Sequence, residues 1–89
     1  MPKVHFTPHL RRHLSCESVE VAGRTVADAL GEVFNRFPAM RSYILDDQGA
    51  VRQHVMIFVD DSPLRDRSRL TDELAATSEV FVMQALSGG

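Results

Sequence analysis

The stretch from Thr25 to Pro38 constrains the fold more than any other part of the chain. Val26, Leu30, Val33 and Phe37 recur at spacings of four, three and four residues, which puts them on one face of a helix. Ala29 and Phe34 widen that stripe, while Asp28, Glu32, Asn35 and Arg36 take the opposite side. The start is marked by Thr25-Val26-Ala27-Asp28, a capping-box pattern in which the Thr25 hydroxyl accepts from the Asp28 amide and Asp28 reaches back. The stop is Pro38, which pushes the residue before it out of the helical region. Burial of each large side chain in the stripe is worth about 1.5–3 kcal/mol. A chain of 89 residues builds one domain with a single core, and this helix can supply most of that core if a sheet lies beneath it.

The other apolar residues have the period of strands. Val4 and Phe6 alternate with Lys3, His5 and Thr7, and Pro8 limits that run. Val19 and Val21 alternate with Ser18, Glu20 and Ala22, so Pro8 to Cys16 is expected to be a wide hairpin loop. Gly23-Arg24 breaks the second run. After the helix, Asp46-Asp47-Gln48-Gly49 reads as a turn between Tyr43-Ile44-Leu45 and a strand-like segment from Val51. His54 to Val59 is apolar on both faces and is expected to be a central strand, closed by a turn over Asp60-Asp61-Ser62-Pro63. Leu64 to Thr77 reads as loop with one short helical turn near Thr71 to Leu74. Val80 and Val82 then alternate with Phe81 and Met83 in a last strand spanning Glu79 to Ala85. The expected order is β, β, α, β, β, β-like, with the helix across one face of a mixed sheet.

Several function classes are disfavoured. The formal charge of −2 gives no polybasic footprint for nucleic acid, and no apolar run is long enough to span a bilayer. Met1-Pro2-Lys3-Val4 leads straight into a strand pattern without a secretory h-region, so the cytoplasm is the expected location. A single cysteine, Cys16, forms no internal disulfide, and with no activating cation beside it in sequence it reads as structural or incidental. His9 and His13 stand four apart, with Cys16 the nearest further ligand type; zinc needs three or four converging ligands, so no metal site is expected. No Ser/His/Asp, Cys/His or paired-carboxylate set is evident, and the chain is not expected to be an enzyme. Arg65, Arg67 and Arg69 alternate with Asp66 and Ser68. They read as a solvated loop with local Arg–Asp pairing, the alternative being an anchor for an acidic surface on a partner.

The chain closes on Ser87-Gly88-Gly89. Glycine makes up about 7% of ordinary sequence, so two at the end by accident is roughly a 0.5% event. Two residues without Cβ can thread a channel too narrow for any side chain and offer a carboxylate for activation. A frayed end is the plain alternative. The expected division is a domain over 1–85 and a flexible tail over 86–89.

These features together resemble the MoaD/ThiS-like β-grasp sulfur carriers, the small ubiquitin-like proteins of molybdopterin and thiamin biosynthesis and their cysteine-biosynthetic relative. The resemblance is carried by element order over essentially the whole chain, by the strand His54-Val55-Met56-Ile57-Phe58-Val59-Asp60, by the spacing through Leu70 and Leu74, and by the tail Met83-Gln84-Ala85-Leu86-Ser87-Gly88-Gly89. The segment Asp46 to His54 is more similar to the cysteine-biosynthetic branch. Two positions depart from the pattern: Ala76-Thr77-Ser78-Glu79 stands where an acidic-Gly-acidic turn is often found, and Gln84-Ala85 where a proline often precedes the tail.

The resemblance implies an α+β fold, the β-grasp, with a mixed four- to five-stranded sheet and one main helix across one face. It also implies a cycle in which an E1-like adenylyltransferase of the MoeB/ThiF type uses ATP to adenylate the Gly89 carboxylate. A sulfur donor then displaces AMP to leave a thiocarboxylate, which passes sulfur to a downstream accepting enzyme. The chain would bind no cofactor and contribute no catalytic residue, only the activated terminus Gly89 with Gly88. Recognition is expected on the sheet face opposite the helix. If Val55, Ile57, Val59, Val80 and Val82 face the helix, then Met56, Phe58, Phe81 and Met83 share the other face, and Ala85, Leu86 and Ser87 continue it as partner-binding positions. An apolar patch of this kind marks a partner surface, and methionine adapts to more than one partner; alternatively the loop Pro8 to Ser15 folds over it and makes it core. Two other functions use the same fold: a ubiquitin-like modifier joined to lysines through Gly89, and an interaction domain whose Gly-Gly is never used. Lys3 is the only lysine, which leaves little scope for chains of modifiers.

Overall fold

The computed structural model describes residues 1–6 and 18–84. The expected hairpin loop, with His9, His13 and Cys16, and the tail positions Ala85, Leu86, Ser87, Gly88 and Gly89 lie outside the described residues. Strands β1 (Lys3–Phe6) and β2 (Ser18–Glu20) pair antiparallel. Helix α1 (Val26–Arg36) and a short helix α2 (Met40–Ile44) follow, then β3 (Val55–Val59), β4 (Ser62–Pro63) and β5 (Glu79–Gln84). The five strands form one sheet in the order β2-β1-β5-β3-β4. The last strand is therefore the central one, parallel to β1 and antiparallel to β3.

Helix α1 forms as its pattern predicts. Val26, Ala29, Leu30 and Val33 are buried, and Phe34 and Phe37 pack partly buried against the same core. The Asp28 amide donates to Thr25 Oγ1 at 3.2 Å, the forward half of the capping pair. The amides of Val26 and Ala27 have no partner inside the helix. They donate instead to the carbonyls of Asp72 and Leu70, at 3.0 and 2.9 Å, while the Leu74 amide donates to Arg24 O at 2.7 Å. This pairing overturns the expected helical turn near Thr71 to Leu74. A segment whose carbonyls cap another helix, and which bridges Thr25 at Glu73, has to stay extended. Leu70 holds φ +59°, a left-handed conformation costing about 1–2 kcal/mol for a residue with a Cβ; its side chain is buried in the core in return.

Beneath α1, Val4 and Phe6, Val19, Val55 and Ile57, and Val80 and Val82 form the buried face of the sheet. Asp46 Oδ1 accepts from the amides of Gln48 and Ala50, at 2.8 and 3.0 Å, and Gly49 takes φ +84°, so the expected turn is present. The segment before it is not a strand: Tyr43 and Ile44 belong to α2, and Leu45 with Val51 makes only an isolated bridge. β3 is flanked on both sides, as expected of a strand apolar on both faces. Its outer neighbour is Ser62–Pro63, which extends the expected turn into an edge strand. A proline is tolerated there because an edge strand need not donate.

The arginine run also differs from its expected form. The chain bends at 66–70 rather than running extended, with the Leu70 amide donating to Asp66 O at 2.9 Å. Arg67 turns inward, and its Nη2 donates to the carbonyls of Arg52 and Val55, both at 2.7 Å. Asp66 and Asp72 accept backbone amides instead of pairing with arginines. Local Arg–Asp pairing is thus not the arrangement found here. No helix among the described residues is long and apolar enough to cross a membrane.

Candidate functional site

Among the described residues, no helix or strand packs on the face of the sheet away from α1. Strand side chains alternate, so with Val80 and Val82 buried, Phe81 and Met83 of β5 emerge on that face, and so do Met56 and Phe58 of β3. The antiparallel register brings them together: Met56 stands opposite Met83 and Phe58 opposite Phe81. Met56 is 45% exposed, and Phe58, Phe81 and Met83 are half-buried. All four candidate residues that fall within the described chain thus share one patch on the two strands nearest the tail.

The flank of this patch was not foreseen from the sequence. Parallel pairing sets His5 of β1 beside Phe81 and Lys3 beside Glu79. The His5 imidazole stacks on the Phe81 ring, with centroids 4.9 Å apart and planes at 15°, and its Nε2 lies 3.0 Å from Glu79 Oε1. Glu20 of β2 stands opposite Lys3 and Ser18 opposite His5. The face therefore has an apolar centre and a charged border. The alternation of β1 shows that Lys3 and His5 share a face, but only the pairing with β5 shows which face.

The described chain ends beside this patch. β5 ends at Gln84, and Gly89 follows five residues later. Fully extended, five residues reach at most roughly 18 Å. Gly89 therefore lies within that distance of the end of the central strand.

The other features of the described residues are already satisfied by the chain itself. A groove of about 630 Å³ is bordered by Asp66 and Asp72. Every carboxylate oxygen of those two residues already accepts a hydrogen bond from the chain: Asp66 from Ser68, Arg69 and Thr71, Asp72 from Arg65 and Asp66. The Thr71 hydroxyl above all, with the backbone amides, holds the Asp66 carboxyl below its usual range. Asp60, at φ +54°, is likewise used: its Oδ1 accepts the Glu79 amide at 3.0 Å. No group of three or more potential metal ligands converges among the described residues.

Comparison with known proteins fits this architecture. A chain of the Amycolatopsis orientalis BexX/CysO complex superimposes with a TM-score of 0.87 at 22% identity, covering 100% of both chains. Mycobacterium tuberculosis CysO gives 0.84 at 21% identity, over 97% of this chain and 100% of that one. SAMP1 from Haloferax volcanii gives 0.79 at 24% identity, over 99% and 98%. No curated protein matches the chain by sequence. The sequence model of the ThiS family matches residues 4–89, nearly the whole chain. With its five-stranded mixed sheet, one main helix and terminal Gly-Gly, the chain belongs to the ThiS family and has the ubiquitin-like β-grasp fold of sulfur carriers and small protein modifiers.

Proposed function

We propose that the chain is a sulfur carrier activated at Gly89. The observation that supports this is the nearness of Gly88-Gly89 in sequence to the patch: the central strand, which carries Phe81 and Met83 beside Met56 and Phe58 of β3, ends five residues before Gly89. The chain is a substrate, not an enzyme. An E1-like adenylyltransferase docks on the patch and receives the tail. The Gly89 carboxylate oxygen attacks the α-phosphorus of ATP, and pyrophosphate leaves. A carboxylate is a poor electrophile; the acyl-adenylate carries a good leaving group. A sulfide-level donor then attacks the acyl carbon and AMP departs, which leaves a thiocarboxylate. Its sulfur is anionic at neutral pH, the reactive form of sulfur nucleophiles. The dependence on ATP puts the step in the cytoplasm. That an Amycolatopsis CysO is found in a complex with BexX supports a working state in which a protein of this fold is bound to a second protein.

The test is the intact mass of the chain after incubation with an E1-like enzyme, ATP and a sulfide source, beside a variant lacking Gly89. Replacement of one oxygen by sulfur, absent from the truncated form, is the expected result. Adducts on the lysines of other proteins would move the assignment to a modifier. No adduct with several activating enzymes, and no consequence of removing Gly89, would leave an interaction domain.

A further inference from the structure

The aromatic centre of the open face is held in place from one side. Phe81 is covered by the His5 ring in a near-parallel stack, within the centroid range where aromatic pairs attract. His5 is fixed in turn by Glu79 at 3.0 Å. The His5 side chain is 29% exposed and that of Glu79 53%, so both border the surface a partner would cover. We propose that His5 is a positioning residue of the docking face: held by Glu79, it fixes the Phe81 ring as a flat anchor for the activating enzyme. This rests on the carrier reading and commits to the activating enzyme as the occupant, because the short tail forces that enzyme to sit beside the end of β5.

The test uses the activating enzyme that yields the thiocarboxylate, with ATP–pyrophosphate exchange read as KM for the carrier and kcat. His5→Ala loses the stack and should raise KM about fivefold with kcat unchanged, while its thermal melt reports that the sheet is intact. His5→Gln keeps an amide for Glu79 but has no ring to stack, so it should raise KM as well. An unchanged KM for folded His5→Ala would overturn the proposal and leave the carrier reading standing, as would a fall in kcat without a change in KM. Absence of adenylation even for the wild type would overturn both.

Discussion

Gly23 and Gly31 stand at opposite extremes of the space around a glycine, and the same substitution should act with opposite sign at each. A Cβ added to Gly23 would lie 2.6 Å from Ala29 N, 2.7 Å from Asp28 Cβ and 2.8 Å from Asp28 C. None of these atoms is the far end of a flexible side chain, so relief requires α1 to move. The helix start is held where it is by the Thr25 cap, by the Leu74 amide on Arg24 O, and by the Ala22 amide, which donates to both Glu32 carboxylate oxygens at 3.0 Å. Overpacking of this kind costs about 1–3 kcal/mol, offset by about 0.4–1 kcal/mol from the lower entropy of the unfolded chain. Gly23→Ala should therefore destabilise by about 1–2 kcal/mol. Gly31 is exposed in the middle of α1, and a Cβ added there would meet nothing within 4 Å. Gly31→Ala should stabilise by about 0.5–1 kcal/mol through helix propensity alone. For a domain of this size about 1 kcal/mol moves Tm by roughly 4–8 °C, so thermal melts followed by circular dichroism should separate the two variants by more than roughly 6 °C. A Tm that rises for both would refute the close approach of Gly23 to α1 and, with it, the packing of the β2–α1 junction.

Three further outcomes are expected. Phe81→Ser with Met83→Ser should raise the KM for the activating enzyme at least about tenfold, the loss typical of central apolar anchors, while far-UV circular dichroism stays native; unchanged turnover in the folded variant would remove this face from the docking surface. Arg67→Met should lower stability by about 2–3 kcal/mol in urea unfolding, because it strips the donors from the Arg52 and Val55 carbonyls; a change within experimental error would mean that water replaces the guanidinium without loss. The Asp66 carboxyl, held low chiefly by the Thr71 hydroxyl, stabilises the fold above its unfolded value of about 3.9 and loses that contribution as pH falls through its lower folded value. Wild type should exceed Asp66→Asn in stability at neutral pH, and the gap should close under acid; a gap that is constant with pH would show that the carboxylate's charge is not what matters.

The elements that repeat themselves were legible, and those built from a single long-range pairing were not. Helix α1 shows its stripe over several turns, so its bounds and buried face follow from the sequence. Helix α2 is five residues with no side-chain cap, and its two buried residues, Met40 and Ile44, cannot be told from the edge of a strand when Tyr43-Ile44-Leu45 reads as an apolar run. Strand β4 is two residues and has no period at all. The extended course of 71–74 is dictated by the first turn of α1, whose orphan amides need the Leu70 and Asp72 carbonyls, a demand that comes from a helix more than 40 residues earlier in the chain. Arg67 shows the same limit: alternation with aspartates reads as a solvated loop, yet the bend at 66–70 aims this one guanidinium at two inner carbonyls.

The open face divides along the same line. Met56, Phe58, Phe81 and Met83 could be grouped from parity alone, because a period of two survives any even shift of register, and a single-residue slip would have exposed Val55, Ile57, Val80 and Val82 instead. The antiparallel pairs then set Met56 against Met83 and Phe58 against Phe81. His5 and Glu79 lie 74 positions apart in sequence, and only the parallel crossover that lays β1 against β5 makes them neighbours. That crossover places the first strand of the chain beside the last. It joins the polar border of the face to its aromatic centre, and it ties the shape of the surface next to the Gly-Gly tail to a residue at the other end of the chain. A substitution at His5 should therefore be felt at Phe81 without passing through the core, since both side chains lie on the face away from α1.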